Sequence, residues 1–171
     1  MTKDPLALYK LIILYMLDCV DFPLTKAQVG DFVLDREYMN FMTLSEVIGE
    51  LIDSKDVSAQ SYRNRTHLKL TKSGSETIGY FKNEINPGIR EEIEKYFKDN
   101  SMKLRNEVSV LSECYLATSG EWEAHLLAKD RDINLVDITL SVPSEETAQE
   151  ICENWSSRNQ EIYQFLVKNL F

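Results

Sequence analysis

Three cysteines, two histidines and six glycines are all that this 171-residue chain holds of the residue types from which disulfide frameworks, metal sites and phosphate loops are built. Cys19, Cys114 and Cys152 lie far apart inside apolar patterns, without the paired spacing of a disulfide scaffold or a zinc site. Reduced, buried thiols in a cytoplasmic protein are therefore expected. No basic residue flanks Cys114 or Cys152 to lower a thiol pKa, which leaves a redox role without support. His67 and His125 fall on different predicted strands, and neither has a Cys, His or carboxylate at ligand spacing, so no metal is expected. Glycine-rich phosphate loops, nucleophile elbows and zinc-binding helix motifs are missing, and the run Glu91-Glu92-Glu94 reads as a solvated helix face. The expectation is a protein with no catalytic residues and no cofactor, not an enzyme. The longest apolar run, Leu11 to Leu17, is too short to span a bilayer, and no basic leader or small-residue cleavage site accompanies it. It reads as a core helix, with no membrane partner.

What is present is a globular composition, 43% apolar and 27% charged, with a lopsided charge. The net charge is −9, but residues 1–83 carry 10 basic and 11 acidic side chains, whereas the remainder carries 9 and 17. Phosphate would repel the second half and tolerate the first, so any nucleic-acid contact belongs to the first.

Capping signals divide that first half. Asp4 and Pro5 open a helix to Asp18, with proline at the first helical position, where its missing N–H costs nothing. Its apolar residues run almost all the way round, and a helix of that kind must be covered on more than one side. Thr25 with Gln28 has the spacing of a capping box, and Thr43 with Glu46 repeats it after a turn at Asp35 to Asn40. The second of these helices, to about Ser54, turns Leu44, Val47, Ile48, Leu51 and Ile52 inward and Ser45, Glu46, Gly49, Glu50 and Asp53 to solvent. Val57 to Tyr62 and Thr66 to Leu70 read as strands joined at Arg63-Asn64-Arg65, and a further helix runs from about Thr71 to Asn83. After Asn86-Pro87-Gly88 a charged amphipathic helix forms a connector. Strands at about Glu107 to Ala117, Trp122 to Lys129 and Leu135 to Val142 follow, the first pair joined at Ser119-Gly120 and the second at Asp130-Arg131-Asp132. Ser144 caps a long last helix with the apolar stripe Ala148, Ile151, Cys152, Trp155, Ile162, Phe165 and Leu166.

Helix, turn, helix and hairpin in this order predict a winged helix-turn-helix. Arg63, Asn64 and Arg65 at the hairpin tip, with Lys69 and Lys72 behind them, are the candidate contacts to double-stranded DNA, joined by Thr43 and Ser45 on the second helix. A solvated hairpin is the plainer explanation of the same cations. The second helix presents Glu46, Glu50 and Asp53 and no Lys or Arg, unlike most major-groove readers, so a winged helix serving as a protein-protein interaction module is the alternative. Gly49 costs roughly 1 kcal/mol inside a helix, and tight packing against a neighbouring helix is the favoured reason over close approach of a partner. Palindromic sites demand two-fold symmetry, and the all-round apolar first helix needs cover. The expectation is a homodimer whose interface includes Leu8, Leu11, Ile12, Tyr15, Trp155 and Ile162. An intrachain seal by the last helix is the competing explanation.

The stretch Pro5 to Leu17, the entry Asn40-Phe41-Met42-Thr43-Leu44, the junction Leu70-Thr71-Lys72-Ser73-Gly74, the segment Ile151-Cys152-Glu153-Asn154-Trp155 and Glu161-Ile162-Tyr163 together resemble the Domain of Unknown Function 4364 family. The Leu-Thr-x-x-Gly junction also resembles PadR-like and MarR-like winged-helix regulators. The resemblance implies a bacterial transcriptional regulator and carries no catalytic residues or ligand. The chain is thus expected to be α+β: a winged-helix domain over 1–83, a connector helix over 84–105, and over 106–171 an antiparallel three-stranded sheet with a long terminal helix.

Overall fold

A computed structural model describes residues 4–62 and 64–171. The chain is α+β and divides into two compact units, Met1–Leu104 and Arg105–Phe171. The first unit opens with α1 (Pro5–Asp18), whose start is held by the Asp4 carboxylate accepting from the Leu6 N–H at 3.1 Å. A short strand, β1 (Leu24–Thr25), leads into α2 (Lys26–Asp35). The Thr25–Gln28 capping box is complete there: each side chain accepts from the other's backbone N–H. Then come α3 (Phe41–Asp53), the hairpin strands β2 (Val57–Tyr62) and β3 (Arg65–Leu70), α4 (Lys72–Phe81) and a 3-10 turn at Lys82–Glu84. The helix α5 (Pro87–Ser109) carries the division between the units, which falls after Leu104.

Boundaries differ from expectation at α3, β3 and α5, while α4 ends at Phe81 rather than Asn83 and the last strand starts at Ile133 rather than Leu135. α3 starts two residues before Thr43, because the Asn40 side chain accepts from the Thr43 N–H at 2.9 Å. Asn40 is the cap, and Thr43 sits in the first turn. Arg65 is the first residue of β3 and pairs with Tyr62, so β3 begins one residue earlier than expected. Glu107 to Ser109, expected at the start of a strand, are the last turn of α5.

The core of the first unit surrounds α1. Every residue from Leu11 to Leu17 is buried, with Ile13 and Met16 wholly so. The cover comes from the same unit: α3, α4, β3 and the 3-10 turn all pack on α1. A helix apolar all round is thus satisfied by neighbours on several sides, without a second copy. β1, β3 and β2 form an antiparallel sheet in that order, with Leu24 opposite Leu68 and Ala59 opposite Leu68 on its other side.

In the second unit β4 (Val110–Leu116), β5 (Trp122–Asp130) and β6 (Ile133–Val142) form an antiparallel sheet in chain order. Gly120, at φ +87°, makes the first turn, and Arg131, at φ +56°, the second. α6 (Glu145–Leu170) starts at the Ser144 cap and packs Trp155 on Leu126, Ala128 and Val136. The indole N–H of Trp155 donates to the Leu127 carbonyl at 3.1 Å, so the largest side chain of this core is also satisfied as a polar group.

Candidate nucleic-acid interface

The hairpin is anchored at its foot by one aspartate. Asp56 precedes β2, and its carbonyl accepts from the Thr71 N–H at 3.1 Å and from the Thr71 hydroxyl at 3.0 Å. Its carboxylate accepts from Ser73 at 2.7 Å, from Ser54 at 3.0 Å and from Thr77 at 3.4 Å. The end of α3, the start of β2 and the first turns of α4 therefore meet on a single residue. Thr71 also caps α4 by accepting from the Gly74 N–H at 3.1 Å. A Cβ on Gly74 would lie 2.0 Å from the Asp56 carbonyl oxygen, so this junction admits only glycine. The Leu-Thr-x-x-Gly pattern is a physical requirement of the clamp.

The clamp presents cations at two separate places. Asn64, in the left-handed region at φ +60°, and Arg65 are exposed at the tip. Arg63 lies outside the described residues. Lys69 shares the Arg65 face of β3 but stands four residues away, about 13 Å along a strand. It lines a cleft of about 160 Å³ together with Asp18 and Asp21. Lys72 is exposed at the start of α4, close to Lys55, whose carbonyl accepts from the Thr71 hydroxyl at 2.7 Å. The expected cluster is therefore a tip and a foot. Lys55 escaped sequence reasoning because it sits in a turn and only the bond to Thr71 ties it to the start of α4.

On α3, Thr43 and Ser45 are half-buried, while Phe41 and Met42 are 65% and 80% exposed. Of the three acids, Glu46 and Asp53 are exposed and Glu50 is ion-paired with Lys10 of α1. That pairing removes part of the repulsion toward phosphate, and the sequence spacing of 40 residues hid it. Gly49 has nothing within 4 Å of where a Cβ would stand, so the packing explanation for this glycine is corrected: it faces open space.

The expected dimer contacts are corrected by burial. Leu11, Ile12, Tyr15 and Trp155 are at most 9% exposed within the single chain and have no surface to offer. Only Leu8 and Ile162, both half-buried, keep any. Tyr15 donates its hydroxyl to Glu94, and Tyr38 donates to Glu92. Burial and that carboxylate push the Tyr38 hydroxyl from 10.0 up to about 12, and burial with the Glu94 charge pushes the Cys19 thiol from 9.0 up to about 11. Such a thiol stays protonated and unreactive near neutral pH. None of the three cysteines is in a disulfide, and all are half-buried. His125, which has no carboxylate at metal-ligand spacing in the sequence, is held by Asp137 at 2.6 Å and faces Glu113 at 3.7 Å, carboxylates that strand register brings from both sides. Among the described residues no group of three or more His, Cys, Asp or Glu is gathered as for a metal, and no helix is long and apolar enough to cross a membrane.

A family model described as Domain of unknown function (DUF4364) matches residues 9–170, nearly the whole chain. The chain belongs to the DUF4364 family. No curated protein and no solved structure matches it. The DUF4364 match spans both units, so the hairpin clamp and the sheet with its long helix are parts of one family pattern.

Proposed function

We propose that this protein is a cytoplasmic, non-enzymatic regulator of transcription that binds double-stranded DNA as a homodimer, with the first unit as a winged helix. The observation that carries the reading is the Asp56 clamp. It fixes a hairpin with Asn64 and Arg65 at its tip to the end of α3, so that helix and tip can engage one duplex together. The element order, with β1 laid against β3 ahead of the two helices and the hairpin, supports the winged-helix reading. The Lys10–Glu50 pair lessens the acidity of the helix face that would approach DNA. The test is the salt dependence of binding to sites selected from a random duplex pool. Replacing Arg63 and Arg65 together by alanine should weaken binding to all sequences and reduce the slope of log K against log salt by about 2. An unchanged slope in the folded variant removes the hairpin from the interface.

A second reading has its own support. Phe41 and Met42 stand exposed beside Glu46 at the leading end of α3, an apolar and acidic surface better suited to a protein partner than to phosphate. Wild-type protein that fails to bind any duplex at low salt favours this use of the same fold.

A further inference from the structure

α3 contains no Lys, Arg, Asn or Gln, the side chains that pair with two atoms of a purine edge in the major groove. Its leading turn offers apolar surface instead, because its first two residues, Phe41 and Met42, are both exposed. The Asn40 cap fixes that turn: its side chain accepts from the Thr43 N–H and its carbonyl from the Leu44 N–H, each at 2.9 Å. Helical spacing puts Met42, Ser45, Gly49 and Asp53 on one side of α3, with Phe41 next to Ser45. Gly49 has open space where a Cβ would stand, so only backbone protrudes at the middle of that side. Lys26, the first residue of α2, holds its Nζ 5.9 Å from the centre of the Phe41 ring, which sets a cation beside the apolar pair.

We propose that the leading turn of α3 reads thymine in the major groove, with Phe41 and Met42 packing on its 5-methyl group while Lys26 takes a neighbouring phosphate. The inference rests on the DNA-binding reading and names what its helix recognises. Among the groups that bases present in the major groove, the thymine methyl is the apolar one, so it is the feature that an exposed phenylalanine and methionine can select. Recognition helices meet base edges with their N-terminal residues, which is where this pair stands, while Glu50 and Asp53 follow two to three turns behind. Contact with a methyl needs an approach to about 4 Å, and the small Ser45 and the bare Gly49 beside Met42 let the helix lie that close. The apolar patch is also limited to one turn, because Ser45 and Glu46 continue it as polar surface. A stable protein interface takes about 800 Å² from each partner around an apolar core, whereas one turn suffices for one or two methyl groups.

The test uses the full chain and duplexes that it selects from a random pool, compared with the same duplexes carrying deoxyuridine in place of thymine, one position at a time. That exchange removes the methyl group and keeps every hydrogen-bonding group of the base. Wild type should lose about fourfold in affinity at each contacted position, the worth of one buried methyl group. Phe41→Ala and Met42→Ala change exposed side chains and should leave the circular dichroism spectrum as it is. Each variant should bind the thymine duplex more weakly and no longer distinguish thymine from deoxyuridine at the position its side chain served. A wild type that binds both duplexes equally, or variants that both keep the full discrimination, overturns the thymine reading and leaves DNA binding standing. A wild type that binds no duplex at low salt overturns both, and leaves the end of α3 to a protein partner.

Discussion

The two units treat apolar surface differently. In the first, a helix with seven consecutive buried residues, Leu11 to Leu17, is enclosed by three helical elements and a strand. In the second, the shorter unit, one helix lies on one face of a three-stranded sheet, and large apolar side chains from Tyr115 to Phe171 remain exposed. Ten of the exposed large hydrophobic residues among the described positions belong to the second unit and five to the first. Layer number explains the contrast. A two-layer unit of this size cannot cover a 26-residue helix and a ten-residue edge strand at once, whereas elements on several sides can enclose a central helix. The first unit encloses its apolar helix, and the second leaves apolar surface exposed.

That contrast is most severely tested by Trp155→Ala. Trp155 is 1% exposed and joins α6 to the sheet, so its truncation should cost about 3–5 kcal/mol. Amide exchange should accelerate in β4, β5 and β6 while α1 amides keep their protection. Equal acceleration in both units would show that the two are not energetically distinct. Next in size, Gly74→Ala drives a methyl into the Asp56 carbonyl and should cost about 2–3 kcal/mol, read as a lower urea midpoint. Here the first unit loses protection and the second keeps it. The smallest effect is a gain: Gly49→Ala, with open space around the new methyl, should stabilise the first unit by about 0.5–1 kcal/mol. If the same substitution also weakens binding to selected DNA, the bare backbone at Gly49 is there for a partner. Unchanged affinity would leave the glycine without a role at the interface.

How far the fold was legible follows from the range of the forces involved. The Thr25–Gln28 box and the Ser144 cap are local, and both were read with their helices. The start of α3 was misplaced because Phe41 and Met42 are exposed apolar residues in a first turn, where polar ones are usual, and Thr43 with Glu46 imitates a cap. The end of α5 was misplaced because Val108 fits two periods. It continues the buried helical series Ile93, Phe97 and Leu104, and it also alternates with Val110 as a strand would. The need to cover α1 was legible, but not that its own unit does so, since that depends on how many elements converge on it. At the candidate interface Asn64 and Arg65 at the tip and Lys72 at the foot were named from the sequence, and Lys55 was not. The bonds from Thr71 to Lys55 and Asp56 and the pair Lys10–Glu50 cross long stretches of chain that no local pattern reports.

The Asp56 clamp has a mechanical consequence. The hairpin is a lever pivoted at that residue, with an arm of six residues in β2, about 20 Å at the usual rise of a strand. An angular play of about 5° at the pivot would carry the tip through about 1.7 Å, more than half the length of a hydrogen bond. A lever of that length is useful for reading a fixed spacing only if its pivot is stiff. Asp56 makes it so by bonding through its carbonyl and through both carboxylate oxygens, with the Gly74 backbone pressed against it. The chain thus sets the accuracy of its most distant side chains at the point farthest from them.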